Sequence, residues 1–496
     1  MPAHWDVIVV GGGNAGFCAA QSAREQGAQV LLLEKAPRQW AGGNSYFTAG
    51  AMRTGHGGLT DLKDLVEPSA QDRFDHVDLD AYTEDDFLDD ITRVTRGRTD
   101  PELARILVGE SRATMDWLRD IGLRFELMFH RQAYEVDGRY RFWGGLAVGV
   151  VGGGKGMVEQ HLAAAERTGV EVRFDAPVVR LATGPDATVR GVVLADGQVL
   201  EAGSVVLTSG GFEANAQMRA GYLGPGWDLA LVRGTPYNTG DGIRMALDAG
   251  AQPYGHWSGS HAVAWDSGAQ ATGDRELTNQ LTRGGYPFGI VVNADGRRFV
   301  DEGADFRNYT YARYGAEILR QPGSIAFQLF DAKSAHLLRP EEYASKDVTK
   351  VESDTVAGLA KELGIDESQF ASTVNEFNAA ITGGPFDPTV KDGSRTEGIT
   401  PPKSNWAQPL DTPPYTAYPV TCGITFTFGG LRIDRDARVL DTSGLPIPGL
   451  HAAGELVGGL FYFNYPGGSG LTAGSVFGRR AGRSAAATAH SSRAAA

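Results

Sequence analysis

At 496 residues, with 42% hydrophobic and 21% charged positions, the chain has the composition of a globular protein too long for one ordinary core, so two or three domains are expected. A formal charge of −14, with no run of lysine or arginine, argues against a nucleic-acid partner. Two cysteines, Cys18 and Cys422, are too few for a disulfide framework or a metal cluster and suit a reducing, cytoplasmic setting.

The first strand begins almost at once, without a basic leader or a long apolar run, so neither export nor membrane insertion is expected. Trp5 to Val10 (WDVIVV) is apolar and β-branched. Gly11, Gly13 and Gly16 then occupy the first, third and sixth places of a GxGxxG turn that also holds Asn14 and Ala15. Phe17 to Gln26 has helical composition, and Gln29 to Leu33 returns as a strand with Glu34 at its tip and Lys35 beyond. Strand, glycine turn, helix, strand and terminal acid in register predict a dinucleotide site. The turn admits a pyrophosphate to the backbone, the helix N-terminus offers it unpaired N–H groups, and Glu34 accepts hydrogen bonds from a ribose.

Gly42, Gly43, Asn44 and Ser45 follow in a loop expected at the carboxyl ends of the parallel strands, where such sheets bind ligands. The acidic stretch from Asp61 to Asp100 reads as a solvated face, and Pro101 to Leu118 as a helix. Gly149 to Lys155 nearly spells a Walker A loop, but Gly156 stands where a Mg²⁺-binding Ser or Thr is required, which excludes a nucleoside-triphosphate site. A strand at Ser204–Leu207 ends in Thr208-Ser209-Gly210-Gly211-Phe212-Glu213 and brings the chain back beneath the dinucleotide, and Asp241 sits in the first turn of a helix. From about residue 258 to 410 glycine clusters are fewer, and the segment reads as an inserted domain with amphipathic helices at Thr355–Leu363 and Glu367–Ile381. Gly454 and Glu455 end a late strand, and Ser469, Gly470 and Leu471 open a helix that aims its positive end at the ligand. The alanine- and serine-rich residues 484–496 read as a disordered tail.

With the N-terminal turn, GGNS, TSGGFEAN, NTGDGI, HAAGEL and NYPGGSGL in this order, the chain resembles the fumarate reductase/succinate dehydrogenase flavoprotein family over nearly its whole length. Within it, Arg96-Gly97-Arg98-Thr99, Gly152 to Lys155, Glu171 to Pro177 and Gly423 to Phe428 are similar to FAD-dependent tricarballylate dehydrogenases. The resemblance implies an α/β fold: a Rossmann-like FAD-binding domain (residues 1–257 and 411–483) split by an inserted α+β capping domain (258–410). It also implies a small-molecule substrate between cap and flavin, hydride transfer from a CH–CH bond to FAD, and a redox partner that reoxidises the flavin. Relatives with covalent FAD carry a histidine in the GGNS loop; Ser45 stands there, so non-covalent FAD is expected.

Carried over residue by residue, Arg307 matches the arginine that handles the proton and His261 a substrate-binding histidine. A further expected histidine stands as Thr425, and the arginine that clamps a substrate carboxylate stands as Tyr465. Arg283 lies close to, but out of register with, a proton relay, and is expected with His261 and Thr425 to bind substrate. The expected reaction is desaturation beside a carboxylate or carbonyl. Tyr465, lowered in pKa by a neighbouring cation, serves as base in preference to Arg307 or Tyr309, and His261 hydrogen-bonds the activating carbonyl. Tyr309 and Tyr311 lie in an aromatic-rich run and read as packing. The alternatives are the reverse ene-reduction, a ketosteroid-type ketone desaturation, and an electron-transfer subunit without a substrate of its own.

Overall fold

The computed structural model describes residues 5–495. The predicted N-terminal unit is present: strand β1 (Trp5–Val10), helix α1 (Asn14–Glu25) and strand β2 (Val30–Leu33). β1 pairs in parallel with β2 on one side and with the Val199–Leu207 strand on the other. Val7, Ile8 and Val9 are fully buried, each worth about 1.5–3 kcal/mol in transfer out of water. That continuous run is what a strand covered on both faces requires.

Eight strands form this sheet, and they come from both ends of the chain. Glu171–Arg173 extends it beyond β2, Pro446–Ala452 pairs in parallel with Val199–Leu207, and the Val178–Thr183 and Val189–Leu194 strands complete an antiparallel edge. A second, six-stranded sheet is assembled along one long strand, Tyr415–Leu431. Pro253–Asp266, Ala326–Phe330 and Val351–Ser353 pair with it antiparallel, and Leu231–Val232 in parallel. The second sheet therefore reaches beyond residues 258–410 on both sides. Its outer core gathers around helices Val356–Leu363 and Glu367–Ala379, close to the ranges expected from their periodicity. No helix among the described residues is long and apolar enough to cross a membrane.

The C-terminal reading needs correction. Residues 484–495, expected to be disordered, continue the helix Ser469–Ala495. Alanine is the best helix former, and here it also packs: Ala485, Ala486 and Ala489 are fully buried. Ser484 Oγ lies 3.1 Å from His451 Nε2, tying the helix to the parallel sheet. Residue 496 of that expected tail lies outside the described residues.

Candidate active site

One elongated cavity runs from the glycine turn to the second sheet. At its first end the N–H groups of Gly13 and Ala15 have no acceptor among the described residues, the state of a helix N-terminus prepared for an anion. Glu34 closes the turn from β2. Its Oε2 accepts the Gly12 N–H at 2.7 Å and its Oε1 the Ala36 N–H at 2.8 Å. Burial raises the Glu34 pKa against these hydrogen bonds. Lys35 Nζ reaches Asp241 Oδ2 and Thr239 Oγ1, both at 2.6 Å. Burial opposes ionisation of Asp241, yet Lys35 and Thr239 outweigh it and hold that carboxyl below its usual value.

The Gly43–Ser45 loop forms the next wall. Ser45 Oγ accepts the Asn14 N–H at 3.0 Å. Asn44 Nδ2 donates to the Thr425 carbonyl and to Glu213 Oε1, each at 2.6 Å, while its Oδ1 accepts the Thr235 N–H at 2.8 Å. The Walker-like glycines have a packing function here. A Cβ on Gly154 would stand 2.1 Å from the Ser45 carbonyl oxygen, so only glycine lets the helix Gly153–Thr168 lie beneath this loop. Glu213, buried, and Glu455, half-buried, have no cation in ion-pair reach among the described residues and are pushed up in pKa, Glu213 by burial first and then by Glu455.

Gly11, Gly13, Asn14, Ala15, Glu34, Lys35, Gly43, Asn44, Ser45, Gly210, Asp241, Gly454, Glu455, Gly470 and Leu471 all line this cavity. Gly16, Gly42 and Ser469 stand behind it instead. Gly16 packs on the Gly11 carbonyl, Gly42 on Val158, and the Ser469 hydroxyl turns back to the Pro466 carbonyl. The lining fits a dinucleotide with a flat ring system: free amides at a helix start, an acid at a strand tip, a polar Asn–Ser loop and a second helix N-terminus.

The other end is aromatic and cationic. His261, on the strand Pro253–Asp266, lies opposite Phe426 in register, at an irregularity between His261 and Ala262; bulges of this kind re-aim side chains beside sites. Both His261 ring nitrogens are buried without a partner. Burial first, and then the charge of Arg233, hold its pKa well below the usual histidine range, so the ring is neutral. Ring centroids of Tyr311 and Tyr465 are each 4.9 Å from it, and the two phenols hydrogen-bond one another. Tyr311, expected to be mere packing, is thus a cavity residue. Burial and then Tyr311 push Tyr465 well above the ordinary tyrosine value, with Arg233 acting in the opposite, weaker sense. The lowering expected for a Tyr465 base does not occur.

Arg307 lines the cavity, donates to the Arg131 carbonyl at 2.6 Å and lies 4.9 Å from the Trp143 ring centroid. Thr425 lines it too, its Oγ1 accepting from Arg233 Nη1 at 3.1 Å. Arg283 does not reach it. Its guanidinium pairs with Asp266 at 2.6 Å, both side chains being fully buried, because Asp266 is the strongest acceptor in reach in a dry environment. Tyr309 is turned toward Asp90, the Gly144 carbonyl and Arg53, outside the cavity lining.

Four cavity residues carry no signal in the sequence: Arg131, Arg233, Arg339 and Glu342. Glu342 Oε1 takes Arg131 at 3.0 Å and Arg339 at 2.8 Å. None of these residues belongs to a motif, and only folding brings them together.

Comparison with known proteins agrees with this geometry. A family model described as FAD binding domain matches residues 6–471. The probable fumarate reductase Ifc3 of Shewanella frigidimarina is 32% identical, covering 97% of this chain and 74% of that protein. The 4-oxocyclohexanecarboxylate 2-dehydrogenase of Sinomonas cyclohexanicum is 30% identical, covering 97% and 93%. Among solved structures, 3-ketosteroid-Δ4-(5α)-dehydrogenase of Rhodococcus jostii RHA1 superposes with a TM-score of 0.70 at 26% identity, covering 97% of each chain. The chain belongs to the FAD binding domain family and is a FAD-dependent oxidoreductase related to the fumarate reductases.

Proposed function

We propose that this oxidoreductase desaturates a CH–CH bond next to a carboxylate or carbonyl, in the manner of a tricarballylate dehydrogenase. The observation that supports it is the gathering of neutral His261 and the Tyr311–Tyr465 hydroxyl pair in the same cavity as the dinucleotide cradle. Bound FAD supplies the two-electron acceptor that takes the hydride. Gly13, Ala15 and Glu34 would hold its pyrophosphate and ribose, and Asn44, Ser45, Gly470 and Leu471 would hold its ring system. On this reading residues 258–410 cap an FAD domain made of 1–257 and 411–483.

The pKa directions invert the roles expected for two residues. A phenol buried beside another phenol keeps its proton, so Tyr465 donates a hydrogen bond to the substrate oxygen on which negative charge develops. His261, neutral and with free ring nitrogens, takes the proton from the adjacent carbon. The Arg307 guanidinium, which lines the same cavity, stabilises the same developing charge. An electron carrier without a substrate has no need of an enclosed pocket holding these groups. The setting is cytoplasmic, with a redox partner that reoxidises the flavin.

A second reading, a ketone substrate, is favoured by the tyrosine pair and by the relative whose name specifies an oxo acid. Anaerobic addition of saturated tricarboxylates, dicarboxylates and cyclic ketones to the oxidised holoenzyme separates the two. Bleaching of the flavin absorbance by an acid is the expected result, bleaching by neutral ketones alone selects the ketone, and bleaching by none, with oxidation of the chemically reduced flavin by an unsaturated acid, selects ene-reduction.

Attachment of the cofactor has its own test. Acid precipitation of the holoenzyme releases all of the FAD to the supernatant, because Ser45 stands where covalent relatives carry histidine. Yellow colour remaining in the pellet is the contrary result.

A further inference from the structure

Arg233 is the buried cation that the reaction scheme does not use. It directly follows the short strand Leu231–Val232, and its N–H donates to the Ile424 carbonyl at 2.8 Å, which fixes the side chain beside Thr425. The side chain is buried and lines the cavity. Nε reaches Thr282 Oγ1 at 3.2 Å and Nη1 reaches Thr425 Oγ1 at 3.1 Å, leaving the remaining N–H groups of the fork without an acceptor among the described residues.

Other buried arginines have an acid in reach or a set of backbone acceptors. Arg53 lies 3.8 Å from Asp90. Arg283 has Asp266, Arg298 has Glu302 and Arg339 has Glu342. Arg219 has no acid but donates to four backbone carbonyls. Among the described residues Arg233 has no carboxylate within ion-pair distance. An unpaired buried charge is costly, and a planar fork of donors matches one ligand class above others, a carboxylate. Arg233 lines the same cavity as His261, Tyr311 and Tyr465, and its charge acts on all three, so an anion held there shares the pocket of the proposed reacting groups.

We infer that Arg233, supported by Thr282 and Thr425, is the carboxylate-binding subsite of the cavity, and that the substrate is an acid whose carboxylate is separate from the oxygen bound at Tyr465. This rests on the desaturase reading for its place in the reaction, but not for the binding itself. It also accounts for the tyrosine at 465. The positive charge that the family resemblance places at that position enters the same pocket from the segment after Leu231–Val232 instead.

The probe is malonate, an acid with no CH–CH bond to desaturate, titrated into oxidised holoenzyme and followed by the flavin difference spectrum and by thermal upshift. Malonamide is the uncharged control. Wild type binds malonate and not malonamide. Arg233→Gln weakens malonate about ten- to a hundred-fold at full FAD content, and Arg233→Lys recovers part of the loss. The inference is overturned if wild type ignores malonate, if malonamide binds as well, or if Arg233→Gln, or Arg233→Lys should the first variant not fold, leaves the malonate affinity and the acid dependence unchanged. Arg233-dependent binding of malonate with no bleaching by any acid keeps the subsite and removes the desaturase reading. Bleaching by an acid that is indifferent to Arg233 does the reverse.

Discussion

Replacing His261 with glutamine lowers the rate of flavin reduction by substrate about 10²- to 10⁴-fold, the range set by a general base, while FAD content and malonate affinity stay near wild type. Glutamine can still hydrogen-bond in the space between Tyr311, Tyr465 and Phe426 but cannot take a proton. Single-turnover reduction under anaerobic conditions measures the step without interference from the reoxidant.

The pH profile identifies the group. His261 must be neutral to act, and its pKa lies well below the usual histidine range through burial first and Arg233 second. The rate is therefore flat through neutral pH and falls only at more acidic pH than an ordinary histidine gives. Arg233→Gln removes the second cause and moves that acid limb to higher pH. Tyr465→Phe lowers the rate but leaves the acid limb where it was, since the phenol is a donor held well above its ordinary pKa. An unchanged rate in His261→Gln, or an acid limb that moves in Tyr465→Phe, contradicts this assignment of roles.

The second large effect is structural. Gly16→Ala yields protein purified without FAD and with a lower melting temperature. A Cβ at position 16 would stand 1.9 Å from the Gly11 carbonyl oxygen and 2.9 Å from Thr208 Oγ1. The first contact is with backbone, so the helix start must move off the turn. Overpacking of this kind costs about 1–3 kcal/mol or more, and the displacement carries away the free N–H groups of Gly13 and Ala15. Gly109→Ala is the matched control: its Cβ meets nothing within 4 Å in the helix Pro101–Asp120, and alanine there is neutral or stabilising by up to about 1 kcal/mol. Retention of FAD by Gly16→Ala at wild-type stability contradicts the steric account.

The cofactor end of the molecule was readable from local pattern. Gly11, Gly13, Gly16 and Glu34 lie within one strand–turn–helix–strand unit, whose geometry follows from backbone sterics and a short apolar run. The chemistry at the other end was only half readable. The motifs lead to His261, Arg307 and Tyr465, all of which line the cavity, but the aromatic run reads Tyr311 as packing and the family register reads Arg283 as a substrate ligand, when Tyr311 bonds Tyr465 and Arg283 is held by Asp266. Composition misled at the C-terminus, where alanines read as disorder are buried as helix.

What the amino-acid order determined alone is the glycine turn with its acid, because the contacts that build it, such as Gly12 N–H to Glu34, lie within one strand–turn–helix–strand unit. What tertiary structure decided is the ionic character of the substrate end. Arg233 meets Thr425 and Thr282 only because Leu231–Val232 and Pro253–Asp266 both pair with Tyr415–Leu431. Whether a buried arginine is an ion-pair partner or an open anion site depends on which side chains that register brings within about 4 Å, and no local pattern contains this information.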